Sequence, residues 1–414
     1  MKKKNILVIY SCAGGGHYST AKAIEKALNE KYPQYNVILL DGPKLTGSKI
    51  INFLNDIYDY LLRTNTKFCI WGFGLLNASR GDKSLVNFFP KVVERVSKYF
   101  KSLNPDIILS VNSGVNAFIS EIFKKNNWDK KIPFIICCTD PTKGFVKGWV
   151  HPEVDLMLAP LEICKNQLVE YGMPENKIRV LNGVPINPSF TNDSKSKEEA
   201  REILGLDKNK FTALITSGGV GTKEVGIITK YLDNTNLDIQ LIVCCGKNEK
   251  QTKELTDYSS NSRLKIKVIG FTQEMNLLMD ACDIVIGKPG PAIIAEATAK
   301  KRPLILEALN GVMIQERGNL EYALENKIAL KANNKEDIRK HIKSFIENKN
   351  LYSEIVENMS KIDNSNAVYK LVDIIVDFSE NEFIKIRAEA LNKEAEKLNN
   401  YTKENPGYLS FIWS

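Results

Sequence analysis

The chain has 414 residues, 43% hydrophobic and 26% charged, which suits two ordinary domains with buried cores and excludes collagen-like, rod-like or wholly disordered proteins. The formal net charge is +8, and the first 100 residues hold 15 Lys/Arg against 7 Asp/Glu, so the excess lies there. A basic N-terminal part suits an anionic partner surface, or simply a solvated lysine-rich face.

The N-terminus reads MKKKNILVIYSCAGGG. Its apolar run is too short for a signal segment and leads straight into glycines, so Asn5–Tyr10 is read as a first strand. No run approaches the roughly 20 apolar residues of a membrane helix. A helix follows over Ser19–Lys31, then strands at Asn36–Asp41, Asp106–Val111, Ile132–Cys138 and Val154–Pro160. Buried apolar strands alternating with helices imply a parallel sheet covered on both faces. An aromatic segment over residues 47–82, holding Trp71 and Phe73, interrupts the rhythm. The turn-rich Asn182–Ser196 marks a linker. The alternation restarts with strands at Phe211–Thr216, Ile239–Cys245, Leu264–Gly270, Asp283–Gly287 and Pro303–Glu307. From about Lys335 the pattern is helical, and Glu380–Asn400 reads as an amphipathic helix before the tail GYLSFIWS. That helix packs on the body or meets a membrane or partner. The expected divisions are 1–190, 191–378 and 379–414.

Eight cysteines include no CxxC pair. Cys137-Cys138 and Cys244-Cys245 close apolar runs, and neighbours on a strand point to opposite faces. They read as reduced, buried thiols, as in a cytoplasmic protein.

Four motifs carry candidate chemistry. In Ala13-Gly14-Gly15-Gly16-His17, glycine amides and a helix N-terminus after the first strand suit a phosphate or sugar, though GxGxxG spacing is absent. His17 opens that helix at the ligand-binding edge of a parallel sheet, where a near-neutral imidazole can take a hydroxyl proton. In Ser217-Gly218-Gly219-Val220-Gly221-Thr222-Lys223, a second glycine turn aims at a diphosphate without P-loop spacing. In Gly287-Lys288-Pro289-Gly290-Pro291, a tight turn starts a helix carrying Glu296, either a surface carboxylate or a ribose ligand. In Val312–Asn319, Gln315 and Glu316 at a helix start either cap it or face a cleft. Asp140, after a buried strand, either caps a turn or acts as a base.

Together and in this order, GGGH, Thr139-Asp140-Pro141, Trp149–Asp155, VPINPSF, SGGVG, KPGPAIIAEA and QERGN resemble the monogalactosyldiacylglycerol synthase and processive diacylglycerol glucosyltransferase family, relatives of MurG. The resemblance spans roughly residues 5–330. The plant-type loop is usually GGGEGMG-like; here SGGVGTK lacks the acidic residue. KPGP likewise replaces the family's KPGG or AGPG turn.

The resemblance implies an α/β protein of the GT-B type, with two Rossmann-like domains facing across a cleft and C-terminal helices. It implies an inverting transfer of glucose or galactose from a UDP-sugar to diacylglycerol or a glycolipid. His17 would be the base or a ligand to the donor phosphates, with Asp140 as base in its place. Gly15, Gly16, Ser217, Gly218, Gly219, Lys288, Gly290 and Pro291 would hold the donor diphosphate. Phe271 and Thr272 would lie near the uracil, Glu296 at the ribose, and Gln315, Glu316 and Asn319 at the sugar. Trp71 and Phe73 would meet the membrane, while Trp149 and His151 would meet the acceptor, His151 equally well holding a loop. With no D-x-D in the chain, no metal and no cofactor are expected. The expected partners are the UDP-sugar, the lipid acceptor and an anionic membrane, not nucleic acid, and the expected location is the inner face of the cell membrane. Competing readings are another two-Rossmann UDP-sugar enzyme, such as a MurG-like N-acetylglucosaminyltransferase or an epimerase, and a non-catalytic UDP-sugar-sensing protein.

Overall fold

The computed structural model describes residues 3–11, 15–47, 86, 89–129 and 131–404. Trp71 and Phe73 lie outside these residues. Among the described residues, two six-stranded sheets, every strand pair parallel, organise the fold.

The first sheet runs β2-β1-β3-β4-β5-β6. Its strands are β1 (Lys4–Tyr10), β2 (Tyr35–Asp41), β3 (Ile107–Ser110), β4 (Phe134–Cys137), β5 (Leu156–Ala159) and β6 (Ile178–Val180). The second runs β12-β11-β10-β7-β8-β9. Its strands are β7 (Thr212–Thr216), β8 (Gln240–Cys244), β9 (Lys265–Ile269), β10 (Ile284–Gly287), β11 (Leu304–Glu307) and β12 (Ala329–Ala332). Successive side chains of β1 point to opposite faces. Leu7 and Ile9 therefore enter one core with Ile108 and Ile136, while Ile6 and Val8 enter another with Ile24 and Leu28. The second sheet packs around one continuous core.

The alternation legible in the sequence is present, with two additions. β6 and β12 are sheet edges of only three and four residues. Their sequences, IRV and ALKA, interrupt the apolar run with a charge, as edge strands commonly do.

The division at residue 378 needs correction. The helix Ala367–Asp377 packs on the first sheet, with Val368, Leu371, Val372 and Ile375 in the same core as Ile6, Val8 and Ile24. Its apolar residues recur at helical spacing, and the face of the first sheet beside the helix Gly16–Lys31 is where that stripe is covered. Polar contacts fasten the same place, Lys31 Nζ to Asp373 at 2.6 Å and Tyr369 Oη donating to Glu30 at 2.6 Å. The chain therefore crosses between domains twice. The crossings meet where the Val184 amide donates to Asn364 Oδ1 at 2.9 Å. A Cβ on Gly183 would lie 2.8 Å from the Asp363 carbonyl oxygen, which keeps the two segments in backbone contact. Of the terminal helix Phe383–Glu404, Phe383 is buried on the first domain, while Ile384 and Leu391 are exposed.

Candidate active site

Each sheet changes winding direction once, between β1 and β3 in the first and between β7 and β10 in the second. Open parallel sheets bind ligands at the carboxyl ends of such switch points. The glycine motifs sit there, Gly15 and Gly16 after β1, Gly218 and Gly219 after β7, and Lys288–Gly290 after β10. The two switch points face each other. A Cβ on Gly15, whose φ is +86°, would lie 3.2 Å from both N and Cα of Gly219. Between the domains lies a cavity of about 710 Å³. Three helices begin on it, Gly16–Lys31, Pro291–Ala299 and Ile314–Glu325, so three sets of unpaired backbone amides converge there.

On the first-domain wall, His17 Nδ1 lies 3.0 Å from Thr139 Oγ1. Burial pulls the imidazole down to about 4, against a hydrogen bond to the Val111 backbone, so the ring is neutral at ordinary pH. Asp140 lines the same wall. Burial lifts its carboxyl to about 6; the Trp149 indole, donating to Oδ2 at 2.8 Å, opposes this, and the negative charge of Glu316 across the cleft adds to it.

On the opposite wall, burial lifts Glu296 to about 8, while the Ser19 hydroxyl, donating across the cleft at 3.4 Å, works the other way. Lys288 Nζ pairs with Glu316 Oε1 at 2.7 Å. Phe271 is half exposed beside Thr272, with Lys247 Nζ 5.4 Å from the ring centre.

Gly15, Gly16, His17, Asp140, Gly218, Gly219, Phe271, Thr272, Lys288, Gly290, Pro291, Glu296, Gln315 and Glu316 all line this one cavity. Four of the expected site residues do not. Ser217 is buried, its hydroxyl accepting from the Thr222 amide at 2.7 Å, and so shapes the loop from behind. Asn319 is buried between the domains, accepting from Thr142 Oγ1 at 2.7 Å and donating to the Pro289 carbonyl at 3.3 Å. Trp149 and His151 are completely buried, which removes the direct acceptor contact expected of them. Trp149 lies behind Asp140, and His151 Nδ1 lies 3.4 Å from Glu153 in its own loop. Trp149 packs in the first domain's apolar core, an inward direction that loop sequence alone does not reveal. Sequence reading also missed Ser19, Asn112, Ser113 and Gly246, which line the cavity. A signal existed for the last three, since each follows a buried strand at its carboxyl end.

Residues 17–186 match the family model of monogalactosyldiacylglycerol (MGDG) synthase, and residues 213–375 match the glycosyltransferase family 28 C-terminal domain. A probable monogalactosyldiacylglycerol synthase 2, chloroplastic, of Oryza sativa subsp. japonica is 30% identical over 346 residues, spanning 78% of this chain and 69% of that protein. The chloroplastic monogalactosyldiacylglycerol synthase of Spinacia oleracea is 28% identical over 382 residues, with coverage of 89% and 71%. Among solved structures, MurG of Acinetobacter baumannii aligns with a TM-score of 0.55 at 16% identity over 91% of this chain and 99% of that one. The UDP co-structure of S. aureus MnaA aligns with a TM-score of 0.59 at 14% identity, covering 91% and 97%. These two share the fold, GT-B, with paired parallel sheets across a cleft. With relatedness along both halves and the glycine motifs at both switch points, the chain belongs to the monogalactosyldiacylglycerol synthase family of glycosyltransferases.

Proposed function

We propose that this glycosyltransferase moves a hexose, glucose or galactose, from a UDP-sugar to the hydroxyl of diacylglycerol or a glycolipid, with inversion, at the inner surface of the cell membrane. The observation that carries the reading is one cavity on which three helix N-termini converge, with His17 and Asp140 as proton acceptors on the first-domain wall beside one of them and the other two helices starting on the opposite wall. The acceptor oxygen attacks the anomeric carbon as the bond from that carbon to the diphosphate oxygen breaks. The hydroxyl proton passes to Asp140 or His17, and UDP leaves with the bonding pair. A single displacement from the face opposite the leaving group inverts the centre. The helix N-termini, the amides of Gly218 and Gly219, and Lys288 offset the charge that grows on the diphosphate. The reaction so written calls for no metal or cofactor.

Glu296 has a direct use here. A carboxyl at about 8 is protonated at neutral pH, so it both donates to one ribose hydroxyl and accepts from the other. Phe271 and Thr272 flank the uracil, and Gln315 and Glu316 meet the sugar. Val115, Phe118 and Val146 line the cavity's first-domain side and give an apolar flank suited to a glyceride. A peripheral membrane position is supported by the basic first 100 residues. Among the described residues no helix is long and apolar enough to cross a bilayer.

Purified protein is incubated with diacylglycerol vesicles and radiolabelled UDP-glucose, UDP-galactose or UDP-N-acetylglucosamine. Labelled glycolipid from one of the two hexose donors is expected. UDP binding without transfer from any donor would overturn the reading, and altered sugar without transfer would favour an epimerase.

A further inference from the structure

A chain of buried contacts runs behind the cavity wall and ends on Asp140. At the end of β3, Ser110 Oγ donates to Asn116 Oδ1 at 2.6 Å, both residues being fully buried. Asn116 Nδ2 reaches the Gly148 carbonyl at 3.3 Å and so ties the turn Lys147–Trp149 to the sheet. Trp149 is wholly inaccessible, yet its one polar atom points outward to Asp140 Oδ2 at 2.8 Å. The same indole lies 6.0 Å, centre to centre, from the His17 ring. The sheet thus fixes the indole, and the indole fixes the carboxylate.

An indole N–H donates and never accepts. It therefore holds one carboxylate oxygen as an acceptor and cannot relay a proton. We propose that Trp149 is a positioning residue for acceptor activation: it occupies Oδ2 of Asp140, so the other oxygen, Oδ1, takes the proton of the sugar acceptor. This rests on the proposed transfer with Asp140 as base. As the acceptor oxygen bonds to the anomeric carbon and the diphosphate departs, the hydroxyl proton ends on Oδ1, and the indole keeps its own.

The bond favours the ionised carboxylate, so removing it raises the carboxyl further. The test compares wild type with W149F and with 3-benzothienylalanine at position 149, which keeps the ring shape and lacks the N–H. Two readouts are followed: the Asp140 carboxyl by 13C NMR, assigned by difference against D140N, and the acidic limb of kcat/KM. Both should move up by about one pH unit or more, the size of a lost charge-assisted hydrogen bond. UDP affinity should stay unchanged. A purely packing role would leave both readouts in place with the isosteric analogue, and that result overturns the proposal. Wild-type turnover by D140N would overturn it too, by placing the base elsewhere. If the wild type makes no glycolipid, the transfer reading fails, while the carboxyl titration still decides what the indole does.

Discussion

Two candidate bases stand on one wall, and their environments separate them. Burial holds His17 near 4, while burial and Glu316 lift Asp140 to about 6. A base works only when deprotonated, and one titrating nearer neutrality takes a proton more readily. If Asp140 accepts the proton, kcat/KM falls tenfold per pH unit below about 6. A limb that begins only near 4 assigns the role to His17. Glu296 makes a separate prediction about stability. Its folded value of about 8 lies above that of an unfolded chain. Its contribution is therefore complete below the ordinary carboxyl range and is lost as pH rises through about 8. Relative to E296Q, which does not titrate, the wild type should lose on the order of a few kcal/mol over that interval, read from denaturant unfolding at a series of pH values. His17 and Asp140 were legible because each comes after a buried strand at its carboxyl end. Trp149 and His151 were not, because a side chain in a short loop can turn inward or outward with the same sequence.

At the scale of elements, the second glycine loop is shaped by backbone packing. Gly221 has φ +72°, and a Cβ there would fall 1.8 Å from the Cys245 carbonyl oxygen. Gly246, after β8, returns the approach with a would-be Cβ 2.7 Å from the Gly218 and Gly219 carbonyls. The loops after β7 and β8 thus lock together, with the Lys247 amide donating to Gly219 at 2.9 Å. G221A must push β7's loop away from β8's. It should cost more than about 2 kcal/mol and weaken UDP binding, read by thermal unfolding and calorimetry. G221A with unchanged UDP affinity would show that the donor does not rest on this loop. The run SGGVG was visible as a glycine loop. That its partner would be Gly246 was not, because the pairing is made by two strands adjacent in the sheet and separated in the chain. The short, continuously apolar strands such as β3, β4 and β7 were readable for the complementary reason: a strand buried on both faces needs no partner to announce itself.

Over the whole molecule, the main departure from the sequence reading is the return of the helix Ala367–Asp377 to the first domain. The pattern from about Lys335 reads as helical but does not say which of the two sheets would cover this helix. Leu371 is completely buried in the first domain's core. L371A should therefore cost about 2–4 kcal/mol. The loss should appear in the unfolding of the first domain, measured by hydrogen exchange at β1 and β3. Protection lost first around β7 and β8 would contradict the packing.

The double crossing also bears on how the protein can be taken apart. Two polypeptide segments, in contact at Gly183 and Asp363, join the halves. Exchange of donor specificity between relatives therefore cannot be achieved by one splice in the Asn182–Ser196 linker. Such a splice would carry the returning helix along with the foreign half and leave the native first domain with a stranger's helix against its sheet. A graft that respects the fold takes residues 191–363 as an inset and keeps everything from Asn364 onward with the half that begins the chain.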